Sequence, residues 1–318
     1  MTKPVNEILP REIDPGVEQL LLKFSTLIDE FVNFGTQVFK WVIEESRGTD
    51  EQMPLLMFFR DMLEKVDSIS ILVRHSSIDP SKVLLRSIFE LNLYISYLLE
   101  KNSKDRGMSF LVWDAIRQKQ LNLNFNIEGP EFNRIRKILE QDILISDPNF
   151  LNELSSVKHI IESLNSLLNR EEYKRVVKEY ERTKRKDNTN PAWYHLFKGP
   201  KNIKELAINL KLPFLYEILY RKWSGSVHST DIIQGKIVKK KGSEELNGKI
   251  NTEIVQIRLP KDAQEVTSYT LLLLLRTFIV LKDKKITNKT DEIQKWYLSV
   301  KEQLREVTKE ERLLNIEY

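Results

Sequence analysis

KVLLRSIFELNLYISYLLEK, residues 82–101, decides the fold. Its apolar side chains surround the predicted helix on nearly every side instead of forming one stripe, and such a helix is buried among others. Asp79-Pro80 marks its start, a capping side chain followed by a proline suited to the first helical position. Arg86 and Glu90 interrupt the apolar pattern. They stand one turn apart and can pair on the helix surface, yet so apolar a helix leaves them little solvent. Burying charges is costly unless they are paired and hydrogen-bonded. Either they neutralise each other as a structural strut, or they face a polar cavity.

Outward from this element the chain reads as helix after helix. Asp14-Pro15-Gly16 opens a helix over residues 17–45, with Leu20, Phe24, Leu27, Phe31, Phe34, Val38 and Trp41 at three-four spacing. Gly48-Thr49-Asp50 separates it from a second over 51–76, whose apolar side runs from Leu55 to Val73. Helices are also predicted over 103–127 and 130–145. Asp147-Pro148-Asn149 opens another that runs to about residue 185 and whose second half projects as an arm. Residues 186–191, KDNTNP, form the clearest linker. In residues 231–260 glycines punctuate short β-branched segments, KIVKK and INTEIVQIRL, which predict a small hairpin between helices. Helices over 263–283 and 289–311 finish the chain. The fold class is therefore an all-α multi-helix bundle with a small β-hairpin insertion near its C-terminal third. Its parts are a tail (1–14), a helical core with the candidate site (15–230), the hairpin (231–260) and a C-terminal helical pair (261–318). Residues 82–101 and 214–228 are expected to pack together at the centre.

Composition narrows the function. The 318 residues are 41% hydrophobic and 30% charged, an ordinary globular balance. The absence of cysteine excludes disulfides, thiolate metal sites and cysteine nucleophiles, and fits a reducing cytoplasm. No secretory signal is visible in MTKPVNEILPREIDPG. The most apolar run, residues 269–281, is too short to span a bilayer and contains Arg276, so it reads as a buried helix and no membrane role is expected. A formal charge of +4 says little by itself. The cations of residues 174–186 are concentrated enough to meet nucleic-acid phosphates, or to form a solvated helix face. There is no dinucleotide fingerprint, P-loop, metalloprotease motif or nucleophile elbow. His75, His159 and His195 have no helical metal-ligand spacing with one another or with His228, so neither a metal nor another cofactor is expected.

The unusual polar chemistry gathers in WYHLFKGPKNIKELAINLKLPFLYEILYRKWSGSVHST, residues 193–230. Read as one helix, residues 216–228 align Glu217, Arg221, Ser224 and His228 on one stripe, with Tyr216, Tyr220 and Val227 beside it. Arginine suits bidentate contact with phosphate and with charge that develops on phosphorus. Histidine titrates near neutrality and can take a proton from a ribose 2′-hydroxyl or give one to a leaving oxygen. The pair Arg221 and His228 therefore suits metal-independent RNA cleavage, or a buried polar network.

LLRSIFELNLYISYLL at 84–99 and the stretch at 193–230 resemble a bacterial domain-of-unknown-function family, number five-six-seven-seven. The resemblance rests on an R-S-x-F-E helix (Arg86, Ser87, Phe89, Glu90), a tryptophan-containing turn (Trp193), and an L-Y-x-x-L-Y-R-x-x-S-x-x-V-H helix (Tyr216, Tyr220, Arg221, Ser224, His228). It covers roughly residues 15–230 and implies no established activity. The arrangement is also similar, more distantly, to the higher eukaryotes and prokaryotes nucleotide-binding (HEPN) helical superfamily, which uses an arginine and a histidine four to six residues apart to cut RNA in toxin and antiphage systems. Lys222 departs from the small polar residue frequent there. That resemblance implies a metal-independent endoribonuclease of a toxin or antiphage defence type. Arg221, His228 and Glu90 would be its catalytic residues, and Arg86, Ser224, Trp193 and Tyr220 its substrate contacts. RNA is the expected partner, with a homodimer or a defence-system protein besides. The rival expectations are a non-catalytic helical interaction module, with the polar cluster closed and fully satisfied, and a nucleotide- or anion-binding protein.

Overall fold

The computed structural model describes residues 12–46, 48–141, 157–225, 237–239, 252–254 and 262–308. The architecture is all-α and multi-helix. Its helices are α1 (Pro15–Glu45), α2 (Met53–Arg74), α3 (Ile78–Glu100), α4 (Ser103–Phe125), α5 (Phe132–Leu139), α6 (Lys158–Leu168), α7 (Glu171–Asp187), α8 (Ile203–Asn209), α9 (Ala263–Asp283) and α10 (Thr290–Thr308). A 3-10 segment covers Trp193–Lys198, and the single α-turn Pro213–Leu215 widens into a π-helical segment, Tyr216–Lys222. Ile237–Lys239 (β1) and Thr252–Ile254 (β2) pair antiparallel, Val238 opposite Glu253. The rest of the predicted hairpin, residues 231–260, lies outside the described residues. The chain gathers into two compact units, one of residues 1–48, 55–101 and 203–318, the other of 49–54 and 102–202.

In the first unit α3 packs chiefly on α9, and α9 also meets α1 and α10. Three polar contacts set the α3–α9 register. Lys82 bridges Asp79 and Asp262 near the start of both helices, the buried Asn92 donates to the Leu273 carbonyl and Thr277 Oγ1, and Lys284 Nζ donates to the Glu100 carbonyl at the end. Residue numbers rise together along both, so the helices run parallel. The sequence had paired residues 82–101 with 214–228 at the centre; α9 holds that place instead, and the π segment lies at the edge of α3. The Asp79 carboxylate accepts from Lys82, and α3 starts ahead of the predicted cap, at Ile78 with Ser77 before it. Asp14 does cap α1, accepting from the Gly16 and Val17 amides. The buried stripe of α1 includes Phe24, Leu27, Phe31 and Val38 as predicted, joined by Leu21, Ile28, Gly35 and Val42; Phe34 and Trp41 are half-buried and Leu20 is exposed. At its middle Phe34 stacks on Trp296 of α10 with centroids 4.0 Å apart. The α9 helix, 21 residues, is long and apolar enough to cross a membrane by length and composition, longer than the apolar run suggested. Leu271, Leu273, Leu274, Phe278 and Leu281 are all buried in the unit's core.

The second unit is built on α4 and α7. Met108 and Val112 meet Tyr173, Val176 and Tyr180, with Leu196 from the 3-10 segment closing the cluster. The start of the predicted long helix, residues 147–156, lies outside the described residues, and from 158 on it is broken at Asn169 and Arg170 into α6 and α7. The predicted projecting arm is a packed helix. Tyr173, Val176, Tyr180 and Thr183 recur at i, i+3, i+7 and i+10, an amphipathic stripe that buries one face while the cations occupy the other. Tyr173 also donates to Asp50 at 2.7 Å, and burial together with that carboxylate pushes its phenol up to about 12.

Gly107 of α4 lies against the chain at Glu51, where an added Cβ would collide with the Glu51 backbone carbonyl. At Gly35 of α1 the same addition meets the end of the Leu63 side chain, which can move. Gly107→Ala is therefore expected to destabilise by about 1–3 kcal/mol, and Gly35→Ala by clearly less, because the better helix propensity of alanine offsets a smaller shift. Urea midpoints of the two variants check this; equal losses would rule out the backbone collision.

Candidate functional site

The side of α3 that meets the π segment carries Arg86 and, one turn on, Glu90. Their side chains are 14% and 29% exposed, and Arg86 Nε stands 3.8 Å from Glu90 Oε1, an ion pair without a hydrogen bond. The Arg86 guanidinium carbon lies 4.0 Å from the centroid of the Tyr220 ring. Tyr220 in turn stacks on Tyr216, centroids 5.2 Å apart. An aromatic shelf from the π segment thus covers one face of the guanidinium and holds it in place. Arg86 Nε and Nη1 are buried and have no hydrogen-bond partner among the described residues. Arginine carries five N–H donors in a fixed fork, and buried donors are nearly always paired. Two without an acceptor, beside a carboxylate that does not bond them, suit an anion.

Glu90 complements this. Burial pushes its carboxyl above the ordinary range, against the opposing pull of the Arg86 charge and of a 3.4 Å hydrogen bond from Tyr94 Oη. A carboxyl raised by desolvation is a better proton acceptor in its ionised form than an ordinary one.

Arg276 of α9 is a second buried arginine in this unit. The π segment covers α9 through Lys222, paired with Glu265 at 3.3 Å, and through Trp223, edge-on to Tyr269 at 6.0 Å. Arg276 follows Glu265 by eleven residues and Tyr269 by seven, so helical periodicity puts it on that face. The Asn92 contacts to Leu273 and Thr277 set it within about one helical turn of the level of Glu90 along the parallel pair. Its Nε is buried without a hydrogen-bond partner among the described residues, and burial lowers its pKa. The sequence reading missed it as a site residue, taking it for an interruption in an apolar run. The signal present was a lone arginine in a helix that could not solvate it.

The structure brings Arg86, Glu90 and Tyr220 together. Of the predicted polar stripe, Glu217 and Arg221 do stand side by side, as an ion pair. Because the chain widens into a π segment, an arrangement frequent at functional sites, the regular wheel over 216–228 does not apply. Tyr220 turns to α3, whereas Arg221 is 72% exposed and pairs with Glu217 at 3.0 Å. Ser224 is half-buried just beyond Trp223, and His228 lies outside the described residues. Trp193 belongs to the second unit, where its buried ring packs on Phe110 and Tyr194.

Fold and site define an all-α protein with a half-buried, incompletely satisfied arginine–glutamate pair beside an aromatic shelf. A family model described as a family of unknown function (DUF5677) matches residues 52–244, and the chain belongs to that family. The matched residues include α3 and the π segment and end before Arg276. No curated protein and no solved structure matches the chain.

Glu90 binds its proton more tightly in the folded chain than the ordinary value of 4.5 would give. Between that value and its raised folded pKa the native state holds the extra proton, so stability declines as pH rises through this window. Glu90→Gln is expected to remove that decline. Unfolding midpoints of wild type and variant from about pH 4 to pH 7 test the sign, and a constant difference between them would mean that Glu90 titrates as an exposed carboxylate.

Proposed function

We propose that the chain is a metal-independent endoribonuclease whose reacting phosphate sits on Arg86. The supporting observation is the pair of buried, unpaired Arg86 nitrogens beneath Tyr220. Glu90, its carboxyl raised by burial, takes the proton of the ribose 2′-hydroxyl. The freed oxygen attacks phosphorus and the 5′-oxygen leaves, giving a 2′,3′-cyclic phosphate and a 5′-hydroxyl. His228 returns a proton to that leaving oxygen. Arg276 offers a second charge to the phosphate, and Arg221 and Ser224 contact the strand farther out. The toxin or antiphage setting, the cytoplasmic location, a homodimer or defence-system partner, and a hairpin insertion over 231–260 belong to the same proposal.

A second reading, binding of a nucleotide or other small anion without chemistry, uses the same pocket. In its favour Arg221 pairs outward with Glu217 instead of standing beside Arg86.

Purified wild type, incubated with a single-stranded RNA in the presence of a chelator, is expected to release cyclic-phosphate ends. Glu90→Gln and His228→Ala each lower the rate by about 10²–10⁴-fold while still binding the RNA. The rate falls on acidification through the raised pKa of Glu90, because only its ionised form accepts the proton. Intact RNA with wild type, together with phosphate binding that Arg86→Ala abolishes, would replace cleavage by the second reading.

A further inference from the structure

The second unit holds a basic furrow that the Arg86 pocket does not use. It runs between α7 and the Trp193–Lys198 segment as two hollows of about 490 and 170 Å³ that meet at Arg182. Seven lysines and arginines line them against three carboxylates. Each carboxylate is already engaged: Glu171 with Lys174, Glu179 with Arg182 at 2.7 Å, and Asp187 with His195 at 3.4 Å. Lys178, Lys186 and Lys198 form no ion pair among the described residues, so the furrow keeps uncompensated positive charge.

At its mouth stands Phe197, 37% exposed. Phe197 and the next residue, Lys198, have left-handed backbones with φ of 56° and 66°. Consecutive non-glycine residues in that region are strained, and such strain persists where surrounding contacts impose it, often at ligand clamps. Here the imposing contacts are visible. The Phe197 amide donates to Glu179 Oε1 at 2.9 Å, and the Arg175 guanidinium lies 5.0 Å from the ring centroid. The same carboxylate holds Arg182, which keeps Glu179 ionised well into the acid range. The ring is therefore held in a fixed position facing solvent beside a concave row of cations.

We infer that this furrow binds a single nucleic-acid strand, with phosphates on Lys178, Lys186 and Lys198 and a base stacked on Phe197. A concave row of charge follows a backbone, whereas a membrane would need its cations on an open face. The held aromatic ring has no use for an acidic peptide, but offers a platform to any unpaired base. A duplex keeps its bases stacked on one another and leaves that platform empty. Strand binding here does not require cleavage at Arg86.

The test uses the full chain and a fluorescent 2′-O-methyl oligouridine of roughly 12 nucleotides, which has no free 2′-hydroxyl to attack its own backbone. By anisotropy, the triple variant Lys178→Ala, Lys186→Ala, Lys198→Ala is expected to bind at least about tenfold more weakly, and the slope of log affinity against log salt falls by about 2. Phe197→Ala loses about tenfold with the slope unchanged, and Phe197→Trp recovers it; all variants keep the wild-type urea midpoint. Failure of wild type to bind at low salt, wild-type affinity in the triple variant, or equal affinity for a duplex with Phe197→Ala neutral overturns the inference. So does displacement of the probe by phosphatidylserine vesicles. Wild type that binds the probe but leaves unblocked RNA intact supports the furrow and defeats only the nuclease reading.

Discussion

The Nδ2 group of Asn92 has to find acceptors inside a buried helix interface, and it finds them on one other helix: the Leu273 carbonyl at 3.1 Å and Thr277 Oγ1 at 3.0 Å. Apolar surfaces tolerate sliding, but a buried amide left unpaired costs about 1–3 kcal/mol, so this contact fixes the register of α3 on α9. Lys82 acts in the same sense. Burial pulls its pKa down, but Asp262 and Asp79 outweigh that and hold it above the usual value, so it stays a cation bound to both helices. Everything else in the first unit is placed relative to this parallel pair.

The register has an electrostatic result. It sets Arg276 within about a turn of the level of Glu90 along the pair. Arg86 and Glu90 are both withdrawn in part from water, and two of the Arg86 nitrogens meet no acceptor among the described residues. Burial of cations is tolerated when an anion completes the set. The raised pKa of Glu90 follows from the same shortage of water, since its charged form is stabilised by Arg86 only across 3.8 Å and without a hydrogen bond. Anion affinity and proton affinity thus have one cause.

Much of the helical architecture was legible because each helix is amphipathic or apolar over several turns, and α2 buries the residues its spacing predicts. Charged exceptions on α3 were legible too, since Arg86 and Glu90 are conspicuous in so apolar a helix. Partners in space were not. The choice of α9 over residues 214–228 as the mate of α3 depends on one asparagine and on side-chain shapes that periodicity does not encode. The turn at Tyr216–Lys222 was misjudged because a wheel assumes one residue spacing per turn, and a π segment changes it. Counting cations over 174–186 concealed the apolar stripe of Tyr173, Val176 and Tyr180, whose hydroxyl-bearing rings look polar in composition yet pack as core. Trp193 was drawn into the site by its nearness in sequence and lies in the core of the other unit.

The parallel pairing of α3 and α9 also orders events in time. Glu100 ends α3 and Ala263 begins α9, so roughly 160 residues separate the two sides of one interface. Ribosomes add about 5–20 residues per second, which leaves the apolar surface of α3 without its mate for about 10–30 s of synthesis. Residues 102–202 and the short segment 49–54 complete the second unit during that interval. The inserted unit can therefore fold first on the nascent chain, while α1, α2 and α3 form a waiting half-core that depends on chaperones or on its own helices to stay soluble until α9 arrives.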